Sequence, residues 1–441
     1  MKKIVSLKNI EKIYGFDKDF NQKVLENISI ICIDGKIHSI LPNENYDEGI
    51  RELTCEIEKE FDNNRNKVYY DGISQKDNKS YEIKEYDLKN KICLPSFIDP
   101  HTHLIYAGQR SHEFFKRNRG VSYLKIAEEG GGISYTIKKT REASDDQLLF
   151  LLLKRLKALS SFGVSHVEIK SGYGLTVKEE LRLLEIIKKA QHYTNIKIIP
   201  TCMPAHDFPP ESKKDEKLKE KWIQQIIDEI LPEAKRKNLA KFFDIFTEEK
   251  FFNYYQTERL CRSAIDNGFK IKMHVNELSN IGALKLAIDM NATSVEHLLQ
   301  TTEEEVILFK NSNTTPVLLP ATAFYLNERY APFNLFEKHG VDVGLASDSN
   351  PGSNCTENIL MVYTIASIKL HMEAFQILKA STITAAKALD LKDYPGILEK
   401  DQPADFLIVN VPSLEYLYYH YGDNPIEKVI VDGEEVFVNG I

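Results

Sequence analysis

Eight short apolar runs, each followed by polar loop residues and then a stretch of helical periodicity, constrain this chain more than any other feature. The runs are 92–98, 164–169, 196–203, 242–246, 269–274, 293–297, 316–319 and 341–346, with helical stretches such as 177–190 and 280–289 between them. Strand-length apolar segments alternating with helices mark parallel βα units. Eight such units over roughly 300 residues fit a (β/α)8 TIM-like barrel, whose chemistry collects at the C-terminal strand ends. An open doubly wound sheet shares the alternation, but it does not explain why reactive residues recur at the ends of these runs.

The flanks read differently. Residues 1–94 are β-rich, with a hairpin signal in Ile28-Ser-Ile-Ile-Cys-Ile33, the turn Asp34-Gly35, and Lys36-Ile-His-Ser-Ile-Leu41. Residues 396–441 repeat the style in Phe406-Leu-Ile-Val409, Lys428-Val-Ile-Val431, Asp432-Gly433 and Glu435-Val-Phe-Val438. Matching styles at both ends suggest one discontinuous domain, a small β-sandwich of 1–94 plus 396–441, around a barrel of 95–395. The polar stretch 43–85 reads as an extended surface insertion.

Composition narrows the class. Over 441 residues, 42% are apolar and 28% charged, which describes a globular enzyme-sized chain. A net charge of −8 gives no electrostatic footprint for nucleic acid. The segment Met1-Lys-Lys-Ile-Val-Ser lacks the apolar core of a secretory signal, and the longest apolar run, 148–153, is too short to span a bilayer. The scattered cysteines Cys32, Cys55, Cys93, Cys202, Cys261 and Cys355 form no CxxC pair and read as reduced thiols of a cytoplasmic protein.

The ends of the runs carry the chemistry. The first leads into His101-Thr102-His103, and residues two apart on a strand point the same way. The fifth ends in His274 and continues to Glu277, the sixth ends in His297, and the eighth ends at Asp348. Imidazoles and a carboxylate around one mouth, with room for water, suit a catalytic metal site. Singly, His274 or His297 could be a hydrogen-bonded core histidine and Asp348 a helix cap. Together they would have to coincide at the same structural place. The fourth run ends in Phe246-Thr-Glu-Glu249, with no lysine that could be carbamylated to bridge two ions.

These residues resemble the amidohydrolase superfamily. Within it, the chain is similar to a branch that opens an imidazolone ring, through Asp99-Pro-His-Thr-His-Leu104, Gly108-Gln-Arg110, Ala127-Glu-Glu-Gly-Gly-Gly-Ile133 and Glu168-Ile-Lys-Ser-Gly-Tyr-Gly-Leu175. The blocks Ala205-His-Asp-Phe-Pro-Pro-Glu211, His274-Val-Asn-Glu-Leu-Ser-Asn280, Val317-Leu-Leu-Pro320 and Ser347-Asp-Ser-Asn-Pro-Gly-Ser353 carry the likeness through the barrel. The chain departs from the pattern at its longer 43–85 insertion, at Asp401 and at Glu277, where some members have glutamine.

The resemblance implies metal-dependent hydrolysis of 4-imidazolone-5-propanoate to N-formimino-L-glutamate in histidine degradation, by a cytoplasmic homodimer with no nucleic-acid or membrane partner. It implies one Zn2+ or Fe ion per subunit on His101, His103, His274 and Asp348. Catalysis would rest on Glu277, His297 and Asp348, and which of them activates water stays open. The substrate would meet Arg110, Tyr173, His206, Glu277, Asn350, Gly352 and Ser353. A guanidinium suits a propanoate tail, because its planar fork binds a carboxylate bidentately. The alternative for Arg110 is a structural salt bridge, and for Tyr173 simple loop packing.

Overall fold

The computed structural model describes residues 1–65, 80–121, 125 and 129–438. Part of the polar insertion, and Ala127-Glu128 of one family block, therefore lie outside the described residues. The chain forms two compact units, Met1–Ser96 with Lys392–Ile441, and Phe97–Leu391.

The first unit is one mostly antiparallel sheet drawn from both termini. Strands β1 (Lys2–Phe16), β2 (Gln22–Ile33), β3 (Lys36–Pro42), β4 (Tyr81–Asp87) and β5 (Ile92–Pro95) come from the N-terminal part. The hairpin β2–β3 turns at Asp34-Gly35, both with positive φ. Strand β1 pairs with β4 along Lys2–Lys8 and with β5 at Lys12 and Ile13. A register shift between Leu7 and Ile10, with Asn9 at φ 58°, separates the two partners. The C-terminal strands, Phe406–Val409, Ile426–Val431 and Glu434–Val438, continue the sheet from β5. Leu7, Ile10, Ile30, Cys93, Phe406 and Ile430 meet in its core.

The insertion differs from its sequence reading. It opens with a 20-residue helix, Tyr46–Arg65. Tyr46, Leu53 and Ile57 are buried against Ile4 and Ile31, with Ile50 packed beside them. Positions 46, 50, 53 and 57 share one helix face, a stripe masked in sequence by the charged residues around it.

In the second unit, eight parallel strands follow one another in chain order. They are β6 (Phe97–Asp99), β7 (Val164–Lys170), β8 (Lys197–Ala205), β9 (Phe242–Thr247), β10 (Lys270–Val275), β11 (Ser294–His297), β12 (Thr315–Leu318) and β13 (Gly344–Leu345). Helices fill the returns and start where the sequence offers caps. Thr176 accepts from the Glu179 N–H ahead of Val177–Ala190, and Asn253 and Thr302 form capping boxes. The first and last strands are joined at and just past their C-terminal ends, where Ser347 donates to the Asp99 carboxylate. Thr102 bridges Ser349, Asp348 N–H donates to His101 O (3.0 Å), and His103 N–H donates to Ser349 O (3.0 Å). The barrel's seam thus runs through the stretch that carries the candidate ligands.

Candidate active site

Below the mouth, the interior of the barrel is charged. Glu168, Lys170, Asp244, Lys272 and Glu296 are all fully buried. Such groups survive burial only when paired. Lys170 Nζ lies 2.6 Å from Glu168 and 2.7 Å from Asp244, and Lys272 Nζ lies 2.9 Å from Glu296. Ser294 and Thr201 complete the network with hydroxyl bonds. The opposing charges push the Lys170 ammonium up and hold Asp244 well below the usual carboxylate range, each against the effect of burial.

Four of the predicted residues meet directly above this floor. His103 Nε2 and His274 Nε2 are 3.4 Å apart, and Asp348 Oδ1 lies 3.6 Å from His101 Nε2 and 3.7 Å from His103 Nε2. Ligand atoms about 2.0–2.1 Å from a tetrahedral ion would be roughly 3.3–3.4 Å from one another. Both ring nitrogens of buried His101 lack a hydrogen-bond partner, as does Nδ1 of His103. Buried polar atoms are seldom left so. Burial also holds His101 and His103 well below the usual histidine range, so both rings are neutral and keep lone pairs. His274 Nδ1 faces Asp244 Oδ1 at 3.1 Å. Donating there fixes the tautomer that turns the Nε2 lone pair toward the cluster. Asp348 Oδ2 accepts from Thr322 Oγ1 at 2.8 Å, and burial raises this carboxyl to about 6. The donor set therefore fits a divalent ion.

Three strand-end residues reach this arrangement through left-handed backbone: Asn276 at φ 55°, His297 at 78° and Asp348 at 51°. For histidine that conformation is uncommon, and strain of this kind concentrates at functional sites. His297 Nε2 lies 3.5 Å from Glu277 Oε2, its Nδ1 is unpartnered, and its ring centre is 5.2 Å from that of His274. Burial first, then the charges of Asp348 and Glu248, push the Glu277 carboxyl well above its ordinary range. Beside this pair opens a cavity of about 260 Å³, lined by Glu277, His297, Leu299, Gln300, Thr322 and Glu328.

The opposite wall comes from the loops after β6, β7 and β8. His206 stacks on His103, with ring centres 4.8 Å apart, and its Nδ1 meets Gly172 O at 3.1 Å. Nδ1–H donates to that carbonyl, which leaves Nε2 as an acceptor. Burial lowers this imidazole to about 3. Tyr173 lies edge-on between His206 and Tyr106, and burial keeps its phenol protonated. Glu180 holds the Tyr173 loop by accepting the N–H groups of Gly172, Gly174 and Leu175 at 2.7–2.9 Å.

Arg110 makes the salt bridge that was its alternative reading. Its Nε and Nη2 both lie 2.9 Å from Glu113 Oε2. The pairing leaves the Nη1 side of the fork against Gly352, where a β-carbon would collide with Nη1. Asn350 and Ser353 share that loop, but Asn350 is engaged within it. Its amide donates to Asp348 O and Ser353 Oγ (both 2.7 Å) and accepts from Gly352 and Ser353 N–H (both 2.8 Å). Sequence reasoning missed Asp244, Thr322, Glu113, Glu180 and Glu248, each of which holds another site residue in place. For the charged floor beneath them a signal existed in β7 and β10, where Glu168 and Lys170, and Lys272 and His274, sit two apart.

Residues 92–436 match the model of the amidohydrolase family. The imidazolonepropionase of Fusobacterium nucleatum is 40% identical over 363 residues, 80% of this chain and 87% of that one. That of Caldanaerobacter subterraneus subsp. tengcongensis is 39% identical over 359 residues, 81% and 86% of the two chains. Among solved structures, a triazine hydrolase variant superposes with a TM-score of 0.69 at 14% identity, covering 99% of this chain and 95% of that one. A zinc-bound adenosine deaminase from Xanthomonas campestris gives 0.68 at 15% identity, covering 99% and 93%. Among the described residues, no helix is long and apolar enough to cross a membrane.

Proposed function

The chain belongs to the amidohydrolase family and, within it, to the imidazolonepropionases, and from that premise we propose that it hydrolyses 4-imidazolone-5-propanoate to N-formimino-L-glutamate. The observation that carries the reading is the buried quartet His101, His103, His274 and Asp348, whose Nε2 atoms and carboxylate oxygen converge while both ring nitrogens of His101 and Nδ1 of His103 lack hydrogen-bond partners. These four would hold one Zn2+ or Fe ion per subunit. Such an ion supplies Lewis acidity and brings the pKa of a water molecule down to about 7.

The chain's own groups do the rest. Arg110, steadied by Glu113, binds the propanoate with the free side of its fork. Tyr173 donates its phenolic proton to the substrate, and His206 Nε2 accepts a ring N–H. His297 donates to the carbonyl oxygen as it becomes an oxyanion. Asp348, oriented by Thr322, takes the proton from the attacking water. The carbonyl C–N bond then breaks, and Glu277, held protonated by its surroundings, delivers a proton to the departing nitrogen. Asn350, Gly352 and Ser353 shape the loop that presents Asp348 and leave room for Arg110.

The test is product analysis of the metal-loaded protein with 4-imidazolone-5-propanoate. Formation of N-formimino-L-glutamate without ammonia is expected. Ammonia release from an aminated ring, with no turnover of the imidazolone, would replace this reading with a deaminase.

A further inference from the structure

Glu248 stands at the end of β9, is 1% exposed, and is needed by none of the steps above. Its carboxylate is spent entirely on the loop that follows β10. Oε1 accepts the N–H of Glu277 at 2.8 Å and of Leu278 at 3.1 Å, while Oε2 accepts the Ser279 N–H at 2.9 Å and its hydroxyl. Successive N–H groups turned on one anion form a nest, which fixes the backbone that supplies them. Glu248 is itself immobilised. Its N–H donates to Phe252 O (3.2 Å) and its carbonyl accepts from Phe251 N–H (3.0 Å), with Phe252 fully buried and stacked on Phe208 at 4.3 Å. From the other side, Gln300 N–H donates to Asn276 O at 2.7 Å. The Glu277 backbone is thus clamped between the ends of two neighbouring strands.

We propose that Glu248 is a positioning residue that aims the Glu277 carboxyl at the reacting nitrogen. The proposal rests on the catalytic role given to Glu277 above. A carboxylate that merely filled the barrel wall would not need to collect three consecutive N–H groups from the one loop that carries that residue. It does no chemistry itself, since both its oxygens are turned to that loop.

The experiment is a double-mutant cycle between Glu248→Ala and Glu277→Gln, read as kcat, KM and bound metal. Freed from its nest, the loop misplaces Glu277, and kcat falls about 10²-fold while KM and metal content hold. In the Glu277→Gln background the same substitution should cost nothing further, because residues acting as a unit are not additive. Glu248→Gln, which keeps an oxygen for Glu277 and Leu278, restores most of kcat. If Glu248→Ala does not accumulate as folded protein, Glu248→Asp draws the carboxylate back by one methylene and carries the same cycle. Equal losses of kcat in both backgrounds, or full kcat in the Glu248 variants beside an impaired Glu277→Gln, would overturn the positioning role. Full kcat in Glu277→Gln would instead overturn the catalytic role on which it depends.

Discussion

Asp244→Asn changes one atom and tests how the buried floor controls the cluster above it. Asp244 Oδ1 receives His274 Nδ1 at 3.1 Å and the Ile245 N–H at 2.7 Å, while Oδ2 receives Lys170 Nζ at 2.7 Å. All three partners donate, so an asparagine NH2 has no acceptable place. Turned toward Lys170, it sets two donors face to face in the buried interior of the barrel. Turned toward His274, it loses the Ile245 bond and forces Nδ1 to accept, which moves the imidazole proton to Nε2, the atom that faces the cluster. Changing a ligand's outer partner costs about 10–100-fold in metal affinity. Because both rotamers fail here, the loss belongs near the upper figure, about 2.7 kcal/mol. The assay is competition for the ion with a calibrated chelator at fixed pH, with nitrogen chemical shifts of the His274 ring reporting its tautomer. An unchanged affinity with the Nε2 lone pair intact would refute the reasoning.

Three other predictions follow from the same geometry. His297→Ala should keep its ion and fold while kcat drops about 10²–10³-fold, whereas loss of the ion would make His297 a ligand. Arg110→Leu should weaken substrate binding by about 2–5 kcal/mol through an unpaired carboxylate, and Gly352→Ala should raise KM by pressing on the same guanidinium; a KM unmoved in both would show that another residue reads the tail. The Glu277 carboxyl sits above its usual range and acts protonated, so on the alkaline side kcat/KM should fall as pH rises through its raised pKa. Glu277→Gln, with no proton to lose, should abolish that alkaline limb, and a limb that persists unchanged belongs to another group.

Much of the barrel was legible because its strands are apolar runs bounded by polar loops, a pattern that survives in one dimension. The candidate site residues were legible for the same reason, since His101, His274, His297 and Asp348 stand at or just past the places where runs stop. What stayed hidden depends on facing. Glu168 and Lys170, or Lys272 and His274, lie two apart and point inward together, but only closure of the barrel turns them into a buried floor. The helix Tyr46–Arg65 was obscured differently, its four apolar contacts being thinly spread among acids and bases. The Glu180 and Glu248 clamps left no motif, since a buried glutamate reads in sequence like an exposed one.

The place of the seam has a consequence for biosynthesis. His101 and His103 are made early, near the first strand of the barrel, and Asp348 is made only after the last strand has been translated. The two ends are joined by the Thr102–Ser349 bridge and the bonds flanking it, in the same few residues that would grip an ion. A growing chain that has emerged from the ribosome only as far as β12 can fold parallel strands, yet it lacks both the closing strand and the fourth donor. Ion capture would thus register closure of the barrel's seam. Chains stalled before residue 348 should take up no ion in this geometry, however much of the sheet they have built.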